Sequence, residues 1–311
     1  MSDELKRYRS VMADSARWEG FTFRDDDIVI STPSKCGTTW MQMICALLVF
    51  QDPKLPRRLT ELSPWVDIQT DTVENVFTAL AAQHHRRFIK SHTPFDGLPY
   101  DKRVTYICVG RDPRDAAISW DNHFDNMNLE VAIGARTAAV GSDDLATLMP
   151  DGPPPRPEDP VERFWNWVED DAPSVRNLTG LAELLHHLST FWDRREATNV
   201  VLFHYADLQS DLEGEMRRLA AVLAIDIDEG VWPTLVSAAT FDRMRDRAGE
   251  LAPQVKVDGF WNDPNRFFNR GSSGQWRSFF GPGDLARYEA RVHQLATPDL
   301  AAWVHRGWLG L

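Results

Sequence analysis

The sequence predicts an α/β fold, a doubly wound parallel sheet with helices on both faces. Short apolar, β-branched runs recur along the chain, and segments with apolar residues at helical spacing follow them. Strands that alternate with helices are typical of parallel sheets. The chain has 311 residues, of which 43% are apolar, enough for one large core. We therefore predict a single domain over residues 1–311.

The predicted strands are four apolar runs that follow a polar, amphipathic entry segment at residues 1–26. They are DIVIST (27–32), RRFIKS (86–91), VTYICVG (104–110) and NVVLFHY (199–205). After the third run, Asp112 is a good helix N-cap and Pro113 fits the first helical position. The fourth run precedes DLEGEMRRLAAVL, which has helical spacing. Each predicted strand thus leads into a turn or a helix.

Charge and cysteine content exclude several classes of protein. The formal net charge of −12 argues against a nucleic-acid surface, so an anionic ligand needs a local basic pocket. The three cysteines lack metal-ligand spacing and predict neither a metal site nor a disulfide framework. The polar start of the chain shows no signal peptide, and the longest apolar run, WMQMICALLVF, is too short to span a bilayer. We expect a cytoplasmic protein with no membrane span.

Polar residues follow the predicted strands at the points where they end. Lys35, His92, Arg111 and Tyr205 all come at or just after strand ends. Ligands of open α/β sheets bind beyond the carboxyl ends of the strands. We therefore expect these four side chains to meet in one site.

The segment IVISTPSKCGTTWMQM (28–43) has the pattern of a strand, a tight turn and a helix start. Such a turn binds anions through backbone N–H groups, and Gly37 permits close approach of the backbone. Packing alone would also account for glycine and threonine at a helix start. The Gly-Lys-Ser/Thr ending of ATP-binding loops is missing, because Lys35 stands before Gly37. The loop is therefore predicted to hold a terminal anion without a metal.

Five segments together resemble the motifs of the cytosolic-type sulfotransferase family, in that family's order and over most of the chain. They are TPSKCGTTW (32–40), RFIKSHTPFDGLP (87–99), YICVGRDPRDAAISWDNHF (106–124), VLFHYADL (201–208) and RGSSGQW (270–276). The family's loop usually reads Tyr-Pro-Lys-Ser-Gly-Thr-Thr-Trp. The resemblance implies 3′-phosphoadenosine-5′-phosphosulfate (PAPS) as donor and 3′-phosphoadenosine-5′-phosphate (PAP) as product.

The resemblance also implies which residues bind the donor. They are Lys35, Cys36, Gly37, Thr38, Thr39, Trp40, Arg111, Ser119, Tyr205, Thr240, Phe241, Arg270 and Gly271. Arg111 and Ser119 match the pair that grips the 3′-phosphate; the alternative for Arg111 is a salt bridge with Asp112 or Asp115. Cys36 stands where serine is usual and Asn269 where arginine is usual, so two donor contacts are in doubt.

His92, Lys35 and Lys90 are the predicted catalytic residues. Neutral imidazole can take the proton of an acceptor hydroxyl near physiological pH, so His92 would be the general base. Lys35 would contact the oxygen between phosphate and sulfate, where negative charge develops during transfer. Lys90 would stabilise charge nearby. His123 is the next candidate base should His92 not serve.

Residues 126–160 are predicted to be a mobile loop. They include MPDGPPPRPEDP, whose prolines disfavour helix and central strand. The loop would be either a lid over the acceptor or a solvated surface insertion. The acceptor is expected to bind at residues 56–80, at 126–160 and at the N-terminal segment. Trp65, Phe77 and Phe124 lie in or near these segments and suggest an apolar or aryl alcohol.

These observations predict a sulfotransferase that moves a sulfuryl group in line from PAPS to an acceptor hydroxyl or amine. The alternatives are a P-loop nucleotide or small-molecule kinase and a nucleotide-binding protein without catalysis. The family's short dimer motif is absent from RSFFGPGDLA (277–286), so the usual dimer is not predicted.

Overall fold

A four-stranded parallel sheet forms the centre of the protein. The computed structural model describes residues 5–149, 152, 156–172, 179–253 and 257–311. The strands are β1 (Ile28–Ser31), β2 (Phe88–Ser91), β3 (Thr105–Gly110) and β4 (Val200–His204), in the order β2-β1-β3-β4. All four predicted strands are confirmed, each with slightly narrower bounds.

The strand register aligns the carboxyl ends along one edge of the sheet. Ile28 of β1 pairs with Phe88 of β2 and with Thr105 of β3. The β3–β4 ladder runs on to its last pair, Gly110 with His204. The turns that follow the strands therefore leave the sheet on the same side.

Both faces of the sheet are buried, which explains why the strands have continuous apolar runs rather than alternation. Val29, Ile89 and Tyr106 point into a core on one face, while Ile28, Phe88 and Ile107 point into a second core on the other. This is the doubly wound arrangement that the sequence predicts.

Helices cover the two faces in the order that the chain supplies them. They are α1 (Thr38–Phe50), α2 (Leu59–Leu62), α3 (Val73–Ala81), α4 (Pro113–Asn126), α5 (Leu129–Val140), α6 (Leu145–Leu148), α7 (Pro160–Glu169), α8 (Leu181–Trp192), α9 (Tyr205–Ser210), α10 (Leu212–Val222), α11 (Trp232–Ala238), α12 (Phe241–Asp246), α13 (Ala248–Leu251), α14 (Pro282–Leu295) and α15 (Pro298–Arg306). Short 3-10 helices lie at Ser15–Trp18, Phe95–Gly97, Pro264–Phe267 and Gln275–Ser278. Helices α3, α4, α7, α8, α14 and α15 contribute to the first core, and α1, α2 and α9 to α13 to the second.

The prediction of irregular structure throughout 126–160 is wrong for two segments, α5 and α6. The leucine and the four alanines of LEVAIGARTAAV are good helix formers, and Asn128 caps α5 by accepting a hydrogen bond from the Val131 N–H at 3.2 Å. Residues 150, 151 and 153–155, which include four of the segment's prolines, lie outside the described residues, and Pro160 begins α7. In the part of the chain that is described, no helix is both long and apolar enough to cross a membrane.

Candidate active site

A cavity of about 460 Å³ opens at the carboxyl edge of the sheet. Lys35, His92, Arg111 and Tyr205, the four residues that follow strand ends, all line it. The prediction that these side chains converge is therefore confirmed. Parallel strands in register bring the four turns together although they are far apart in sequence.

Most of the predicted site residues line this cavity. They are Lys35, Gly37, Thr38, Thr39, Trp40, Lys90, His92, Arg111, Ser119, Tyr205, Phe241, Arg270 and Gly271. Two predicted donor contacts do not. The Cys36 side chain is fully buried in the core, and burial raises the pKa of its thiol to about 12. Thr240 uses its hydroxyl to donate to the Ser237 carbonyl at 2.8 Å.

The turn after β1 has a backbone conformation that few residues adopt. Lys35 has φ of +67° and Gly37 has φ of +110°. A Cβ at Gly37 would also lie 3.2 Å from the Tyr205 ring, so glycine suits both the dihedral angle and the space. Helix α1 then begins at Thr38, and the N–H groups of its first turn have no partner within the helix. Anions commonly bind to unpaired N–H groups at a helix start, which agrees with the loop pattern.

Arg111 is held in place without being neutralised. Its Nη1 donates to the Lys35 carbonyl at 2.9 Å, and its guanidinium carbon lies 4.2 Å from the centroid of the Tyr205 ring. Its Nε is buried and has no hydrogen-bond partner among the described residues. The nearby Asp112 instead pairs with Arg114 at 2.7 Å. Arg111 thus retains donors for an anionic ligand.

The loop RGSSGQW (270–276) is held beside α4 by hydrogen bonds. Asp115 of α4 accepts from the N–H groups of Gly274 and Gln275 at 2.7 and 3.0 Å. Gly271 has φ of +61°, and a Cβ there would lie 2.4 Å from the Phe241 ring. Arg270 and Asn269, the residue found where the family usually has arginine, also line the cavity.

His92 is oriented so that one ring nitrogen remains available. Its Nδ1 donates to the Thr32 carbonyl at 2.7 Å, which leaves Nε2 without a proton. Burial, and then the charge of Lys90, hold the pKa of His92 well below its usual value. The imidazole is therefore neutral at physiological pH and can accept a proton.

Asp67 organises the surroundings of His92, and sequence reasoning missed it. Its carboxylate accepts from the His92 backbone N–H at 2.8 Å, from Ser91 Oγ at 2.8 Å and from Trp18 Nε1 at 2.5 Å. The carboxylate also accepts from Trp65 Nε1 at 3.2 Å. Asp67 is 1% exposed, and burial raises its pKa. A single acid in a loop of otherwise unremarkable sequence gives no signal of this role.

Two lysines project into largely apolar surroundings. Lys90 Nζ lies 4.1 Å from the Trp65 ring centroid and Lys35 Nζ lies 4.6 Å from that of Phe267. Burial lowers the pKa of each lysine to about 7, and the charges of Arg111 and Lys90 act further on Lys35. An anion in the cavity would favour the charged form of both.

His123, which the sequence analysis named only as a second candidate base, lies on α4 and contacts Lys35. Its Nδ1 accepts a hydrogen bond from Lys35 Nζ at 3.2 Å. Three aromatic rings surround the imidazole: Trp120 stacks on it at 5.4 Å, and Trp261 and Phe267 approach edge-on at 4.8 and 5.9 Å. Burial, and then the charge of Lys35, lower the pKa of His123 well below its usual value.

The remainder of the cavity wall is mostly apolar and comes from scattered parts of the chain. It includes Met12, Trp65, Ile68, Trp120, Phe124, Met127, Leu129, Leu148, Met149, Phe260, Trp261 and Phe267. Asp144 pairs with both Arg9 and Arg136 and so connects the N-terminal segment to α5 and α6. Sequence reasoning found Trp65 and Phe124 here but not the contributions from 257–268. Phe77, named with them, does not line the cavity and packs against Phe21 beside the first core.

The family model described as "Sulfotransferase domain" matches residues 25–298. The chain belongs to this family and is a sulfotransferase enzyme. The described residues include no group of three or more His, Cys, Asp or Glu that could hold a metal ion.

Curated relatives agree with this assignment, and solved structures share the fold. The chain is 46% identical to a glycolipid sulfotransferase of Mycobacterium bovis and to one of Mycobacterium tuberculosis, over 97% of this chain and 95% of each relative. A crystal structure of retinol dehydratase with retinol and PAP has a TM-score of 0.68 at 18% identity, over 90% of this chain and 84% of that chain. Mouse sulfotransferase SULT7A1 with PAP has a TM-score of 0.66 at 18% identity, over 95% and 93%. At these identities the two structures establish the fold alone.

Proposed function

We propose that this sulfotransferase moves the sulfuryl group of PAPS to a hydroxyl group of a glycolipid, with His92 as the general base. One observation carries the proposal: a single cavity contains an anion-binding helix start, a neutral histidine and a large apolar wall. A charged donor and an apolar acceptor can therefore lie side by side within reach of His92.

The donor end of the cavity fits a nucleotide with phosphates at the 3′ and 5′ positions of its ribose. The N–H groups at the start of α1 and the charge of Lys35 would hold the 5′-phosphosulfate. Arg111, with its buried unpartnered Nε, would bind the 3′-phosphate together with Ser119 and Arg270. Trp40, Tyr205 and Phe241 line the same cavity and would surround the adenine.

The residues present can carry the transfer step. The acceptor oxygen forms a bond to sulfur while the bond from sulfur to the bridging oxygen breaks, and PAP leaves with that electron pair. The hydroxyl proton goes to Nε2 of His92, which the bond from Nδ1 to Thr32 keeps free. Lys35 and Lys90, when protonated, stabilise the negative charge that develops on the leaving phosphate.

The acceptor class follows from the apolar wall and from the relatives. An acyl or other lipid chain would pack against side chains such as Met12, Ile68 and Phe260. Leu148 and Met149 line the cavity directly before the proline-rich residues, which supports a role for the 126–160 region in covering the acceptor. The two 46% identical relatives are named glycolipid sulfotransferases, which supports the same class.

The test is a transfer assay with PAPS and a panel of acceptors. We expect sulfated product, detected by mass spectrometry, with hydroxyl-bearing glycolipids and much less with short aryl alcohols. Efficient sulfation of aryl alcohols alone would contradict the glycolipid acceptor but not the assignment of PAPS as donor. Tight PAP binding without transfer to any acceptor would favour a nucleotide-binding protein without catalysis.

A further inference from the structure

We propose that His123 is a positioning residue for Lys35: its neutral imidazole accepts a hydrogen bond that holds the lysine charged and directed at the donor. This inference rests on the proposed function, since it gives Lys35 the role of contacting the phosphosulfate. It adds a second histidine to the site, one that acts through Lys35 rather than on the acceptor.

The environment of Lys35 explains why such a partner is needed. In the described part of the chain, Lys35 forms no ion pair, and its Nζ lies over the Phe267 ring. Among the described residues, the one hydrogen bond of Lys35 Nζ is the 3.2 Å bond to His123 Nδ1. An ammonium group in apolar surroundings readily loses its proton, and a hydrogen bond from the charged form opposes that loss.

The charges around Lys35 act in the opposite direction. Arg111 donates to the Lys35 carbonyl, Lys90 lines the same cavity, and both disfavour a further positive charge. Cys36 has a smaller effect, which raises the pKa of Lys35. His92, like His123, is held neutral by burial and by the lysine charges. His123 is therefore the neutral acceptor that offsets burial and two neighbouring cations.

The position of His123 is fixed well enough to serve this purpose. Trp120 stacks on one face of the ring, and Trp261 and Phe267 pack at its edges. A lysine ammonium has only donors, so Nδ1 must be the unprotonated nitrogen and Nε2 carries the proton. The same aromatic contacts could be made by phenylalanine, which lacks the acceptor.

Two variants separate the hydrogen bond from packing. His123→Phe keeps an aromatic ring and removes the acceptor, whereas His123→Asn reduces the packing but keeps an acceptor atom near the position of Nδ1. If His123 holds Lys35 by its hydrogen bond, only His123→Phe changes the pKa of Lys35. If His123 merely fills space, the asparagine variant is the more disturbed of the two.

The primary measurement is the pKa of Lys35 by NMR of protein labelled on its lysines, without donor or acceptor. The chain has six lysines, so the spectrum is simple, and Lys35→Met assigns the signal. We expect the pKa of Lys35 to fall by on the order of one unit in His123→Phe and to stay near the wild-type value in His123→Asn. An unchanged pKa in His123→Phe would overturn the proposal even if the chain transfers sulfate normally.

The second measurement is the rate of sulfuryl transfer. The third is the ¹⁵N chemical shifts of His123 in the wild-type protein. At pH 7.5, His123→Phe should lower kcat/KM for the donor by up to about tenfold, as expected when the pKa of Lys35 falls by about one unit, with recovery at lower pH and in His123→Asn. Should the phenylalanine variant fail to fold, ¹⁵N shifts of wild-type His123 still decide, because a protonated Nδ1 contradicts the proposal. The NMR results stand whether or not the chain sulfates glycolipids, so the two proposals can fail separately.

Discussion

The two ends of the cavity are built in different ways. The donor end comes from turns that directly follow the strands of one sheet, and these turns contain Lys35, His92, Arg111 and Tyr205. The acceptor end comes from apolar side chains spread over the N-terminal segment, the loop near Trp65, α4 to α6 and residues 257–268. The first end is a set of fixed backbone and charged groups, and the second is a packed apolar wall.

Under the proposed function, this difference would let one cavity bind a charged donor and an apolar acceptor together. Phosphate recognition depends on backbone N–H groups and cations at definite positions, which tolerate little change. Apolar recognition depends on area and shape, which many combinations of side chains can supply. We therefore expect variants at the donor end to alter chemistry or donor affinity, and variants at the acceptor end to alter acceptor affinity alone.

The largest expected effect is at His92, where the two ends meet. His92→Ala should lower kcat by about 10²- to 10⁴-fold, the usual contribution of a positioned general base. PAP affinity, measured by calorimetry, should change little because other residues hold the nucleotide. His84→Ala, at an exposed histidine, is the matched control. Near-normal turnover in His92→Ala would exclude His92 as the base.

Arg111→Gln should weaken PAP binding by about tenfold to a hundredfold, as expected for a lost hydrogen bond to a charged group. Affinity for 5′-AMP, which lacks the 3′-phosphate, should change much less. Arg306→Gln, at an exposed arginine of α15, serves as control. Equal losses for both nucleotides would place Arg111 elsewhere than at the 3′-phosphate.

The pH dependence tests the two cavity lysines together. Burial lowers the pKa of Lys35 and Lys90 to about 7, so their charge is present below that pH and lost above it. The value of kcat/KM for the donor, which reports the free enzyme, should therefore fall as pH rises through about 7. The fall in kcat should come at higher pH, because bound donor raises the pKa of both lysines. A profile of kcat/KM that is flat into alkaline pH would contradict this.

The smallest effects are expected at the acceptor end. Met12→Ser and Leu148→Ser each remove apolar area from the cavity wall, which should raise KM for a long-chain glycolipid by about tenfold. PAP affinity should be unchanged in both variants. Leu309→Ser changes a leucine that is 63% exposed and provides the control. An unaltered KM in both cavity variants would mean that the lipid chain binds elsewhere.

The donor end was largely predictable because its signals are local. A strand pattern followed by Gly37 and two threonines indicates an anion-binding turn, and Asp112 with Pro113 indicates the start of α4. The structure bears out the local patterns, since Asp112 accepts from the Arg114 N–H at 3.0 Å and Pro113 begins the helix. Two expected contacts do not line the cavity: Cys36 is buried in the core, and the Thr240 hydroxyl donates to the Ser237 carbonyl three residues earlier.

The parts that could not be predicted depend on contacts between distant residues. Asp67 accepts hydrogen bonds from Trp18, Ser91 and His92, which are brought together only when the sheet has formed. His123 meets Lys35 only because α4 packs beside the turn after β1, and these residues are 88 apart in sequence. No local pattern marks either residue.

The sequence by itself determined the four parallel strands, the edge at which their turns meet and the chemical character of the donor end. Those features follow from local patterns and from the geometry that every parallel sheet shares. Only the tertiary structure decided which nitrogen of His92 is free, what surrounds Lys35 and which apolar side chains form the acceptor wall. The physical reason is that protonation and packing depend on burial and on neighbours in space, and the fold brings those neighbours together from segments far apart in the chain.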